Sequence, residues 1–114
     1  MKKLTPIIFC LLPALLWSGQ GLAISDDQFE SIKKLGNLNG VALHCGYLEE
    51  TRRMKAALIE SLPKRRELGL AFDQVTHESF MEFIQEGRSC PSAGELSRQV
   101  EQAIERLNAS FPKS

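Results

Sequence analysis

The sequence predicts an all-α domain, a small bundle of about four helices stapled by one disulfide. Three observations carry that expectation. After residue 24 the apolar residues recur at steps of three and four, and no stretch sustains apolar and polar alternation with β-branched enrichment. Glycine, asparagine and proline interrupt the pattern at Gly36-Asn37, Asn39-Gly40, Pro63, Gly87 and Pro91, cutting it into helix-sized pieces. Two cysteines, Cys45 and Cys90, remain once an export leader is set aside, and an even count in an oxidising compartment reads as one bond.

The leader comes first in the chain. Lys2 and Lys3 precede an apolar run from Ile7 to Trp17, which ends in the small-residue stretch Gly21-Leu22-Ala23. A charged start, a short apolar run and small residues before the cut are the order an export signal requires. The run is 11 residues long, whereas a bilayer span needs roughly 20. Cleavage is therefore expected after Ala23, leaving residues 24–114 as a single helical domain that is periplasmic or secreted. Cys10 follows Phe9 deep inside the apolar run rather than at the cut, so it leaves with the signal and is no lipid attachment point.

The mature chain has 91 residues, with fourteen acidic side chains against twelve basic ones and hence a net charge of −2. That length supports one small core and no second folding unit. A mild charge with both signs interspersed offers no basic surface for nucleic acid and none for stable membrane association after cleavage. The Cys45–Cys90 bond would close a loop of about 45 residues and contribute on the order of 4 kcal/mol on the chain-entropy model.

A first helix should start near Ser25 or Asp26, whose side chains cap it and whose charge suits a helix N-terminus. Phe29, Ile32 and Leu35 form its apolar stripe. It is expected to stop at Gly36-Asn37, with Asn39-Gly40 as the turn to the next helix. The second helix is read from Val41 to Leu62, with Cys45 near its start, Leu48, Met54, Leu58, Ile59 and Leu62 as core candidates, and Pro63 closing it. Glu49 with Arg53 and Glu60 with Lys64 are acid-before-base pairs four residues apart, suited to a solvated face.

Lys64 to Glu86 is helical in pattern, with Leu68, Phe72, Val75, Phe80, Phe83 and Ile84 near one stripe. Gly69 weakens it and Thr76 is able to cap a restart, so one helix and two are both open. Gly87 supplies a stop, and Arg88-Ser89-Cys90-Pro91 is a connector. The last helix begins at Ser92-Ala93-Gly94-Glu95, which has capping-box spacing, and Leu96, Val100, Ile104, Leu107 and Phe111 follow at steps of four, four, three and four. In this layout the disulfide ties the start of the second helix to the connector before the last.

Three constellations bear on chemistry. His44, Cys45, His77 and Cys90 are residue types that hold zinc or copper, yet no pair has C-x-x-C or H-x-x-x-H spacing, and His44 and Cys45 leave a helix about 100° apart. His44 and His77 are thus weak metal candidates, and no cofactor is expected. Glu78, Glu82 and Glu86 recur every four residues and form an acidic ridge whose members repel, a surface that suits a basic partner or a basic face of the same protein. No nucleophile has an evident base beside it in sequence, so an enzyme is not expected.

The whole mature layout is roughly ninety helical residues with a disulfide ending at the base of the last helix. In size, cysteine placement and class it resembles small periplasmic acid-stress chaperones, and it is also similar to the helical immunity proteins that neutralise exported bacterial toxins. The chaperone likeness implies that acid neutralises the fourteen carboxylates, expands the bundle and exposes its apolar stripes. The functional expectation is a non-catalytic protein that binds an unidentified protein partner as an accessory, inhibitor or chaperone. The alternatives are a small-ligand or metal binder near His44 and Tyr47, or a membrane-anchored accessory subunit held by an uncleaved leader.

Overall fold

The computed structural model describes residues 23–113, so residues 1–22 of the expected leader lie outside the described residues. Four helices make up the described chain: α1 Asp26–Cys45, α2 Leu48–Ser61, α3 Arg66–Glu86 and α4 Ala93–Ser110. The all-α bundle with one disulfide is as expected, but two of its helix boundaries are not.

The start of α1 follows from local chemistry. Ser25 Oγ accepts from the Gln28 backbone N–H at 3.1 Å and Gln28 Oε1 accepts from the Ser25 N–H at 2.9 Å, a reciprocal capping box. Asp26 and Asp27 place negative charge in the first turn. Ile24 and Phe29, at the two positions of a hydrophobic staple, both pack against the core.

The expected stop at Gly36-Asn37 and turn at Asn39-Gly40 do not occur. α1 continues through them as one helix of 20 residues, and the second helix starts at Leu48 instead of Val41. Tertiary packing is the reason. A Cβ on Gly36 would sit 2.9 Å from Val75 Cβ and 3.0 Å from the Phe72 carbonyl oxygen. One on Gly40 would sit 2.6 Å from Ser79 Cβ and 2.7 Å from the Phe80 nitrogen. The two glycines, one helical turn apart, form a notch into which α3 settles at backbone range. Each costs about 1 kcal/mol of helix propensity, a cost that close packing of two long helices outweighs.

The asparagines are spent in the same seam. Asn39 is 2% exposed; its Nδ2 donates to Thr76 Oγ1 at 3.2 Å and its Oδ1 accepts from Thr51 Oγ1 at 2.7 Å. One amide thereby joins α1, α2 and α3. Ser79 Oγ donates to the Asn37 carbonyl at 2.7 Å. Thr76, read as a possible restart cap, is a buried member of this network, and α3 is a single helix of 21 residues.

α1 ends at Gly46, whose φ of +78° places it in the left-handed region that favours glycine. The Tyr47 N–H donates to the Ala42 carbonyl and the Gly46 N–H to that of Leu43, closing a Schellman motif. Gly87, at φ +62°, ends α3 in the same way, as expected. α4 opens with Ser92 Oγ accepting from the Glu95 N–H at 3.2 Å.

Because α1 is unbroken, Cys45 is its last residue and not an early residue of the second helix. The disulfide to Cys90, with Cα atoms 5.8 Å apart, therefore ties the end of α1 to the connector before α4. Tyr47 Oη donates to the Pro91 carbonyl at 2.7 Å and reinforces the same junction.

α1 is the central helix and packs on each of the other three; α2 also meets α4, whereas α3 runs along α1 alone. The core comprises Ile32, Leu35, Leu38 and Ala42 of α1, Met54 of α2, Leu68 and Phe72 of α3, and Leu96, Val100, Ala103 and Leu107 of α4, closed by Phe111. Gln28 Nε2 donates to the Ser110 carbonyl at 3.0 Å, holding the two ends of the domain together. Arg53 bridges α2 to α4 by pairing with Glu50 at 2.7 Å and with Glu101, rather than with Glu49 as its spacing suggested. Three expected core residues lie outside it: Leu48 is 53% exposed, Ile59 80% and Ile84 47%.

Candidate functional site

The two-Cys, two-His set does not assemble. Cys45 and Cys90 are consumed by their disulfide, and His44 stacks among aromatic rings, 4.8 Å from Phe83 and 5.6 Å from Phe80 between centroids. The Arg88 guanidinium lies over Phe83 at 4.9 Å, a cation–π contact that covers the same ring. His77 is exposed on α3. Among the described residues no group of three or more His, Cys, Asp or Glu side chains converges as a metal site would require.

The acidic ridge of α3 is divided by its surroundings. Glu78 and Glu82 line one wall of a groove of about 330 Å³ between α1 and α3, with Lys33 and Lys34 opposite. Lys33 pairs with Glu30 of its own helix at 3.4 Å, and Gln74 Nε2 donates to Glu78 Oε2 at 3.3 Å. Glu86 lies beyond the groove and pairs with Arg88 Nε at 3.1 Å. Met81 and Ile84, which do not line that groove, are 41% and 47% exposed on α3.

A second surface was not evident from the sequence. α2 and α3 leave between them an open apolar slot, lined by Leu58, Ile59, Leu62, Gly69 and Phe72, in two adjoining hollows of about 360 and 210 Å³. Lys55, Lys64 and Arg65 stand around it, with Asp73 at one end. Gly69 is exposed at its floor, and a Cβ there would meet nothing within 4 Å. The one sequence signal was the neighbouring pair Leu58-Ile59. Their side chains leave the helix about 100° apart, and here Leu58 turns partly inward while Ile59 faces solvent.

Glu67, the second residue of α3, lies next to Arg65 of the slot. Its carboxyl is held below the ordinary value of 4.5 by a hydrogen bond from its own backbone N–H, and further by the Arg65 guanidinium at 2.6 Å.

Compared with known proteins, the chain matches no family, no curated protein and no solved structure. Among the described residues no helix is long and apolar enough to cross a membrane. The functional reading therefore rests on the chain's own surfaces.

Proposed function

We propose that this is an exported, non-catalytic domain that acts by binding another protein, with the slot between α2 and α3 as its main docking surface. The observation that carries the proposal is the slot itself: an apolar trough beside a side chain, Ile59, left 80% exposed. Contiguous apolar surface on a small domain is costly in water and marks interaction sites more often than scattered exposed residues do. Glu78, Glu82 and Glu86 supply a second, charged contact region on the same helix.

Export is supported by the position of the domain's first cap. Ser25 closes the start of α1 and Ile24 packs against the core, so a cut after Ala23 would leave the described helices and their first cap whole. A disulfide at the end of α1 suits an oxidising compartment, periplasmic or extracellular. The non-catalytic reading is supported by the way polar groups are used. Asn39, Thr51 and Thr76 satisfy one another inside the bundle, and Glu50, Glu101, Glu67 and Glu86 serve in surface ion pairs.

The test is a non-reducing affinity capture from the native host at neutral and acidic pH, with the intact mass of the bait recorded. A bait mass corresponding to residues 24–114 with two fewer hydrogens reports cleavage and the disulfide together. Captured protein should be lost with Ile59→Glu and weakened with Glu78→Lys plus Glu82→Lys, with circular dichroism and thermal unfolding confirming that each variant is folded. A single stoichiometric partner at neutral pH indicates an inhibitor or immunity role, and many clients only in acid indicate a chaperone. Capture unchanged by Ile59→Glu removes the slot from the proposal.

A further inference from the structure

We infer that the connector between α2 and α3 is a processing site, cut beside Arg65 by an endopeptidase that recognises paired basic residues, and that the product is a two-chain molecule held by the Cys45–Cys90 bond. Three runs of adjacent basic side chains follow the leader: Lys33-Lys34, Arg52-Arg53 and Lys64-Arg65-Arg66. The first two lie inside α1 and α2, where hydrogen bonds between turns keep the backbone from the extended form that a peptidase cleft accepts. The third spans the end of the connector. Leu62 is extended there with ψ 142°, and Arg65 has φ −128° and ψ 126°. Pro63, Lys64 and Arg66 are exposed. Lys64 makes no ion pair among the described residues, and the pair of Arg65 with Glu67 is a surface one of the kind that holds a side chain only weakly.

The start of α3 is also built to open. α1 and α4 begin with the side-chain caps of Ser25 and Ser92, whereas Arg65, the cap position of α3, makes no such hydrogen bond. Gly69 follows at the fourth residue of the helix, where glycine is unfavourable, yet a Cβ there would meet nothing within 4 Å. Packing explains Gly36 and Gly40, because a Cβ at either would collide with α3, but it does not explain Gly69. An uncapped start with a glycine at its fourth residue unwinds at low cost and presents the basic run in extended form. Arg88-Ser89 is the other exposed basic site between helices. Its chain is pinned just beyond, at Cys90 by the disulfide and at Pro91 by the hydrogen bond from Tyr47 Oη.

Hydrolysis breaks the amide C–N bond on one side of Arg65; water gives its hydroxyl to the new carboxyl group and its hydrogen to the new amine. The cut removes no helix packing, since α2 and α3 do not pack on each other. Cys45 precedes the cut and Cys90 follows it, so the disulfide keeps the two chains together. Pro63, Lys64 and Arg65 line one end of the slot, which the cut therefore unties.

Protein recovered from its native host without reductant should weigh one water more than the intact mature chain. Reduction should then release two chains, the first ending at Lys64 or Arg65. A single unbroken chain from the host overturns the inference. Lys64→Gln with Arg66→Gln should be recovered unbroken, with circular dichroism confirming its fold; a variant still cut at Arg65 rejects recognition of paired basic residues. Intact protein, made where no such peptidase meets it, is treated briefly with trypsin to test the local opening. The first cut, the terminal Lys113 aside, should fall beside Arg65. Gly69→Ala should slow it about fivefold through helix propensity. Gly40→Ala, which disturbs the distant seam with α1, should leave its rate unchanged. A first cut at Arg88, or a faster one in Gly40→Ala, shows cleavage through wider unfolding and overturns the assignment of this junction.

Discussion

Replacing Gly40 by alanine tests the central packing feature of this bundle. In an isolated helix the change is stabilising by about 1 kcal/mol. Here the new methyl would lie 2.6 Å from both Ser79 Cβ and Ser79 Oγ, and 2.7 Å from the Phe80 backbone nitrogen. Carbon pairs rest at about 3.5–4.0 Å, so α1 and α3 must separate locally by about 1 Å. The backbone atom in that contact cannot rotate away. Overpacking of this kind costs about 1–3 kcal/mol, and separation also stretches the hydrogen bond from Ser79 to the Asn37 carbonyl, now 2.7 Å, worth about 1 kcal/mol. After the propensity gain the net loss is about 1–3 kcal/mol, and at roughly 4–8 °C per kcal/mol for a domain of this size Tm should fall by about 5–20 °C. Thermal and urea unfolding followed by circular dichroism reads the change. Gly69→Ala is the internal control: the same substitution in α3, with no neighbour within 4 Å, should raise Tm. If Gly40→Ala is neutral or stabilising, the close seam between α1 and α3 is refuted, and a chain break at residues 36–40 becomes the better account.

Two further outcomes follow from the staple and from the start of α3. Reduction, or Cys45→Ser, should destabilise the domain by about 4 kcal/mol on the loop-entropy account, and an unchanged melting temperature under reductant would show that the bond is not made in the native protein. Glu67→Gln should cause a small loss of stability at neutral pH. The folded-state value of this carboxyl lies below 4.5, so its ionised form favours the fold above that pH, and the contribution fades as pH falls through the folded-state value. Urea midpoints of wild type and variant should therefore differ at pH 7 and converge in acid; a gap that widens on acidification contradicts the assigned direction.

Local signals were read well where local chemistry decides. Ser25 caps α1, Gly87 stops α3 and Ser92 opens α4, because each acts through hydrogen bonds to backbone within a few residues of itself. Leu96, Val100 and Leu107 are buried as their spacing demands, with Ala103 taking the buried place and Ile104 only partly covered. The errors share one cause. Gly36, Asn37, Asn39 and Gly40 are turn formers in isolation, and their meaning reverses only when α3 is present to fill the notch and accept the hydrogen bonds. The same holds at the surface: Ile59 and Ile84 have core chemistry, and nothing in their own helices states that no other helix of the bundle covers them.

The sequence by itself determined the class of the protein, its helical content, its disulfide pairing and its expectation of export. These depend on composition, on periodicity within one helix, and on a cysteine count that leaves a single pairing once the expected leader is set aside. Only the tertiary structure decided that the first two predicted segments are divided at Gly46 and not at residues 36–40, that the staple sits at the end of α1, and that α2 and α3 stand apart around an open slot. Each of those outcomes turns on how closely two helices approach. Approach distance is set by pairs of surfaces distant in sequence, so no single stretch of the chain encodes it.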